Sequence, residues 1–274
     1  MPTIFDKFSM TGKTAIITGG AGLLGKQFSL TLAQAGANVV VADLNQAAAQ
    51  TQADFITSQG FKAEAVAVDV SDPQSIDALV KHVKEQYGRV DVLVNSAAID
   101  PKFDSTHIDG QVKNDFEHYP LAAWNASLNI NLTGMFLMSQ AVATPMLEQG
   151  RGVIINICST YGLAGPDQRL YIIPGEPPKV KPVDYSVTKA GVLGFTRYLA
   201  AYYAGRNIRV NALTPGGVFN DHSTGFVNNY AARTIMGRMA NIDEMNGAIL
   251  FLASDASTYM TGSNLVVDGG WTAW

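Results

Sequence analysis

Cysteine is nearly missing from this chain: Cys158 stands alone, so no internal disulfide can form, and a reduced, cytoplasmic setting is the default expectation. Charge is also sparse. Only 15% of residues are charged, acids outnumber bases by 23 to 19, and no basic run occurs. A protein of this kind offers no electrostatic footprint for nucleic acid or an anionic membrane. His82, His107, His118 and His222 are too scattered to suggest metal-ligand spacing, so no metal site is expected. Long apolar runs are absent too. The opening MPTIFDKFSMTGK places Asp and Lys where a secretory signal needs continuous apolar residues. The longest uncharged stretch, Tyr119 to Leu147, contains Asn125, Asn129, Asn131, Gln140 and Pro145, which would be costly in lipid. It reads instead as part of a long, largely buried helix, 121–149.

What remains is 274 residues, 47% of them apolar, with 26 glycines. Short β-branched runs alternate with helix-length segments along the whole chain, the pattern of parallel strands joined by crossover helices. Strands are expected near 14–18, 38–42, 63–68, 90–94, 152–157, 208–212 and 265–267. Helices are expected near 23–35, 45–59, 73–87, 121–149, 184–204 and 242–254. Several strands are almost wholly apolar, as they must be when helices cover both faces. The expected architecture is α/β, a doubly wound parallel sheet (Rossmann fold) of seven strands in a single domain, 1–274. Two segments break the alternation: 100–120, with both His107 and His118, and 166–182, with five prolines. Each follows the C-terminal end of a strand, where open parallel sheets bind ligands. Loops near 100–120, 165–183 and 214–240 are therefore candidate substrate walls.

The first strand runs into Thr18-Gly19-Gly20-Ala21-Gly22-Leu23-Leu24-Gly25 and then a helix. Gly20, Gly22 and Gly25 satisfy G-x-G-x-x-G in the strand, turn and helix setting that gives the motif meaning. Such a turn lets backbone approach a pyrophosphate, and the helix N-terminus offers unpaired N–H groups to it. The second strand ends at Asp43, about 20 residues on, where an acid accepts hydrogen bonds from an adenosine ribose. No Lys or Arg lies between Lys26 and Lys62. A ribose 2′-phosphate would meet a carboxylate there without a neighbouring cation in sequence, so NAD is expected in preference to NADP.

Tyr185 and Lys189 project from one face of a predicted helix. A phenol titrates near pH 10, and lowering it by about three units takes roughly 4 kcal/mol of preferential anion stabilisation. An ammonium one turn away is one source of it.

At this point the sequence resembles the short-chain dehydrogenase/reductase family, over nearly the whole chain from Thr14 to Gly270. Tyr185-Ser186-Val187-Thr188-Lys189 is similar to the family's Tyr-x-x-x-Lys segment. Ser159 is similar to its catalytic serine at the end of the fifth strand, and Asn131 to its helix asparagine. Asp69-Val70 resembles the adenine-contacting pair, Asn95-Ser96-Ala97-Ala98 the turn beneath the cofactor, and Pro215-Gly216 the nicotinamide-side turn. The resemblance implies Ser159, Tyr185, Lys189 and Asn131 as catalytic residues. It implies cofactor contacts at Gly19, Gly22, Leu23, Leu24, Asp43, Asp69, Val70, Asn95, Ala97, Pro215, Gly216 and Val218, besides Tyr185 and Lys189. Substrate contacts are expected from Ser159, Tyr185 and Arg169, with Arg169, Lys179, Lys181 and Arg233 as cations for an anionic substrate. Cys158 reads as a small buried strand residue rather than a nucleophile. Trp271 and Trp274 are expected to close the site or pack between subunits.

The departures are specific. Leu23 stands where short-form members carry Gly, Asn220 replaces an expected Thr, and Tyr185 follows Ser159 by 26 positions, about twice the usual spacing. The intervening segment must loop out for the two side chains to meet. The expected function is NAD-dependent hydride transfer to or from a secondary alcohol or ketone, polar, sugar-like or anionic, by a homotetramer or homodimer. A sugar-nucleotide epimerase or dehydratase retaining its NAD, and a non-catalytic NAD-binding sensor, are the alternatives.

Overall fold

A computed structural model describes residues 3–100, 114–175 and 179–274. His107 and parts of two expected substrate loops lie outside the described residues. β-Branched and small apolar residues fill the strands β1 (Thr14–Thr18), β2 (Asn38–Asp43), β3 (Lys62–Ala67), β4 (Val92–Asn95), β5 (Gly152–Ile157), β6 (Ile208–Pro215) and β7 (Asn264–Val267). All pair in parallel, in the order β3-β2-β1-β4-β5-β6-β7. The chain reverses its direction of travel between β1 and β4, which opens a crevice at their C-terminal ends.

The helices that cross over the sheet are α1 (Leu23–Gln34), α2 (Gln46–Ser58), α3 (Pro73–Tyr87), α4 (Leu121–Leu128), α5 (Met135–Glu148), α6 (Val183–Tyr202), α7 (Thr224–Ala231) and α8 (Asn246–Ala253). Local signals set their ends. Asn45 accepts from the Ala48 N–H and Asp72 from the Gln74 N–H, both at 3.0 Å, while Pro73 opens α3 and Gly88 closes it with φ 72°. Successive strand residues point to opposite faces, and both faces are dry along the central strands β1, β2, β4, β5 and β6. Ile17, Val41 and Ile155 pack with Phe28, Leu32 and Ile249; Ile16, Val40 and Ile154 pack with Ile76, Leu79 and Met138. Helices therefore cover the sheet on both sides, as the unbroken apolar strands require.

Three expectations need correction. The segment 121–149 is two α-helices joined by a π-helical turn, Asn129–Gly134, and α4 buries only Ser127 within this chain. Its Leu121 is 71% exposed. The last helix begins at Asn246 rather than Ile242, and α7 forms inside the 214–240 segment expected as loop. Among the described residues, no helix is long and apolar enough to cross a membrane, and no group of three His, Cys, Asp or Glu residues could hold a metal.

Candidate active site

A cleft of about 520 Å³ opens at the C-terminal ends of β1, β4, β5 and β6. That is ample for a small ligand. At one end lies the glycine turn. Gly19 has φ 63°, and a Cβ there would meet the Ala97 Cα at 2.8 Å. Thr18 fixes that approach, its hydroxyl accepting from both the Ser96 and the Ala97 N–H at 3.2 Å. A Cβ on Gly25 would meet the Gly19 carbonyl oxygen at 2.0 Å, so only glycine lets α1 start this close to the turn. No side chain caps α1, in contrast to α2 and α3. Its first N–H groups are left for an anion at the cleft, and the residues present thus fit a dinucleotide pyrophosphate.

Gly19, Gly22, Leu23, Leu24, Asp43, Asp69, Val70, Ala97, Pro215, Gly216 and Val218 all line the cleft. The Asp43 carboxylate accepts from the Ala21 N–H and the Asn45 N–H, each at 3.0 Å, tying the end of β2 to the glycine turn. Asp69 is engaged by the Ser71 side chain and N–H, which hold its carboxyl below the usual range. Asn95 sits beneath the cleft rather than in it. Its amide donates to Ser139 and Asn156 inside the protein, at 3.1 and 2.9 Å.

At the other end, Ser159 follows β5 and Tyr185 and Lys189 stand one turn apart on α6. The proline-rich segment loops out, and Ser159 and Tyr185 line the same cleft. The Lys189 ammonium donates to the Ile157 carbonyl at 2.9 Å and lies 5.7 Å from the centre of the Tyr185 ring. Burial lowers its pKa to about 8, with the neighbouring Lys181 adding to the fall and Cys158 and Asp100 opposing it. Burial raises the Tyr185 phenol, the Asp100 carboxylate adds to this, and the Ser159 hydrogen bond opposes it. Asn131, in the π-helical turn, is buried. Its Oδ1 accepts from the Ile99 N–H at 2.8 Å and its Nδ2 donates to the Ile99 carbonyl at 3.1 Å and to the Thr188 hydroxyl at 3.2 Å. It joins the end of β4 to the helix that carries Tyr185.

Arg169 does not join this group. Its guanidinium makes two hydrogen bonds to Asp167, at 2.8 and 2.7 Å, and the side chain is 81% exposed. Cys158 is buried, its thiol pushed up by burial and directed at the Lys189 carbonyl. Trp271 is buried against Tyr230, ring centres 4.5 Å apart, while Trp274 is exposed. The cleft also holds residues that no sequence motif marks: Asp100, Tyr161, Tyr171, Phe226, Tyr230 and Met239. They come from loops and from α7, where periodicity carries no signal.

A sheet with this strand order, a glycine turn under an uncapped helix, and a Ser–Tyr–Lys group at the same edge define a nicotinamide-dependent oxidoreductase of Rossmann type. The family model described as enoyl-(acyl carrier protein) reductase matches residues 20–272. D-threitol dehydrogenase of Mycolicibacterium smegmatis is 35% identical over 273 residues, covering 98% of this chain and 95% of that protein. The 5-keto-D-gluconate 5-reductase of Escherichia coli K12 is 32% identical over 271 residues, 97% of each chain. The crystal structure of a gluconate 5-dehydrogenase from Burkholderia cenocepacia, in complex with NADP and tartrate, superposes with a TM-score of 0.85 at 31% identity, covering 99% of this chain and 100% of that one. The chain belongs to the short-chain dehydrogenase/reductase family.

Proposed function

We propose that this protein is an NAD-dependent dehydrogenase/reductase acting on the secondary alcohol or ketone of a polar, sugar-like substrate. The observation that carries the reading is that Ser159, Tyr185 and the buried Lys189 all face one cleft with the glycine turn. The polyol and keto-sugar-acid names of two relatives support the substrate class. The loops bearing Asp100, Tyr171 and Lys181, and the 214–240 segment with α7, form the substrate walls.

A bound nicotinamide would supply the hydride acceptor or donor, and the chain's own residues would do the rest. Ser159 donates a hydrogen bond to the substrate oxygen and orients it. Tyr185 takes the alcohol proton during oxidation and gives it back in reduction. Lys189 stabilises the phenolate and would hold the nicotinamide ribose of a bound cofactor, while Asn131 holds β4 against α6. Positioning and electrostatics are the whole of the protein's contribution.

NAD is favoured because Asp43 occupies the adenosine end, and the Lys residues lining the cleft, Lys181 and Lys189, stand at the other end. Charge-assisted hydrogen bonds from ribose hydroxyls to Asp43 are worth about 1.5–3 kcal/mol each, while a 2′-phosphate would face that carboxylate. Replacing Asp43 by Ala is expected to lower the NAD over NADP ratio of kcat/KM at least tenfold. An unchanged ratio would remove Asp43 from cofactor choice. A homotetramer is part of the same reading, because α4, α5 and α6 carry exposed Leu121, Phe136, Tyr198 and Tyr202.

A further inference from the structure

The hydride chemistry needs Ser159, Tyr185 and Lys189, yet the cleft holds another charged pair beside them. The Lys181 ammonium makes an ion pair with Asp100 Oδ1. It stands 3.9 Å from the centre of the Tyr185 ring and 5.9 Å from that of Tyr161, and its side chain is only 12% exposed. Tyr161 and Tyr171 close the same corner, their hydroxyls hydrogen-bonded at 3.0 Å.

Side-chain amides hold the backbone at Lys181 and at the residue before Asp100. Gln168 accepts from the Lys181 N–H at 2.8 Å and donates to the Lys181 carbonyl at 3.1 Å. Asn131 does the same for Ile99, next to Asp100, at 2.8 and 3.1 Å. Ion pairs that have lost part of their hydration stabilise a fold little or not at all. One held this firmly over a reacting phenol has a different use. The ammonium carries three donors and the carboxylate several acceptor positions, and their mutual contact leaves capacity on each side.

We propose that Lys181 and Asp100 are specificity-determining residues that read a neutral vicinal diol. The hydroxyl next to the reacting carbon donates to Asp100 and accepts from Lys181, so both charges stay satisfied. A carboxylate in that place would face Asp100, and an unsubstituted carbon would leave the pair without a partner. Arg169 is already engaged by Asp167 outside the cleft, and the Lys189 ammonium is bonded to the Ile157 carbonyl. The site therefore selects polyols and the matching ketoses over hydroxy acids. This deepens the reading above and rests on it.

The test is initial-rate kinetics of the full chain with NAD on three four-carbon probes: threitol, 2-butanol and threonate. A site built to bond a hydroxyl rejects analogues lacking it by about 10⁴ in favourable cases. Wild-type protein is expected to prefer threitol to 2-butanol by at least 100-fold in kcat/KM, and threitol to threonate by at least tenfold. Lys181→Met and Asp100→Asn should each lower the threitol to 2-butanol ratio tenfold or more, chiefly through KM. Lys181→Arg should recover part of the ratio, and Asp100→Asn should narrow the gap to threonate. Equal losses on threitol and 2-butanol would mean a structural role and overturn the proposal, as would wild-type preference for threonate. If no probe or other alcohol reduces NAD while NADH still binds, the dehydrogenase reading itself fails and takes this one with it.

Discussion

Lys189 carries two opposed consequences in one side chain. Its ammonium stands 5.7 Å from the centre of the Tyr185 ring, yet burial holds its pKa at about 8 against the ordinary 10.5. Below pH 8 the group is protonated in both folded and unfolded chains, and the folded state bears the full cost of the buried charge. Between about 8 and 10.5 the unfolded chain binds more protons, so stability rises with pH across that window. Lys189→Met removes the cost and also the hydrogen bond to Ile157. At pH 7 it is expected to stabilise the cofactor-free protein by on the order of 2 kcal/mol while lowering kcat at least 100-fold. Thermal melts from pH 6 to 10 check the first part: the variant's advantage should shrink above pH 8. A variant less stable than wild type at pH 7 would show that the ammonium is well compensated in place. Tyr185 and Lys189 were legible from spacing and resemblance together. The Asp100–Lys181 pair was not, because 81 positions separate its members and only the folded loops bring them together.

At the scale of elements, the strands were the readable part. β1, β2 and β5 begin where the runs of Thr, Val, Ile and Ala begin, because strands buried on both faces leave an unbroken apolar signature. The π-helical turn Asn129–Gly134 left no such mark. Its residues continue the helical pattern on either side, and the extra residue in the turn shows only in backbone hydrogen bonding. The turn nevertheless matters, since Asn131 lies in it and reaches Ile99. α7 escaped notice because Thr-Gly-Phe-Val-Asn-Asn-Tyr-Ala is poor in strong helix formers, and tertiary packing of Tyr230 decides it instead. The glycine turn was readable, and its geometry sharpens the roles: Gly25 is the position with no room. Gly25→Ala is expected to destabilise the fold by about 1–3 kcal/mol through overpacking and to weaken NADH binding at least tenfold. Denaturant melts and fluorescence titration measure the two. Wild-type affinity in the variant would show that the turn can give way without disturbing the phosphate site.

For the molecule as a whole, several of the exposed apolar side chains lie on α4, α5 and α6, and others are spread over the rest of the surface. Leu121, Phe136, Tyr198 and Tyr202 are each well exposed, and α6 also carries Tyr185, the proposed proton-transfer residue. Composition carried no sign of this, since a buried interface and a buried core have the same residue types. Light scattering is expected to give four times the mass of one chain, and Tyr198→Glu with Tyr202→Glu to reduce it. A monomeric wild type would contradict the tetramer. The same helix would then link assembly to catalysis, so dissociated variants should also lose activity.

The most direct measurement compares wild-type and Tyr185→Phe protein for NADH binding and for NAD reduction with threitol. The phenylalanine keeps the ring that Lys181 covers and deletes only the phenolic hydroxyl. NADH affinity within about threefold of wild type together with turnover lowered by 10² or more is the expected result. Near-normal turnover in the variant would contradict the assignment of Tyr185 as the group that moves the proton.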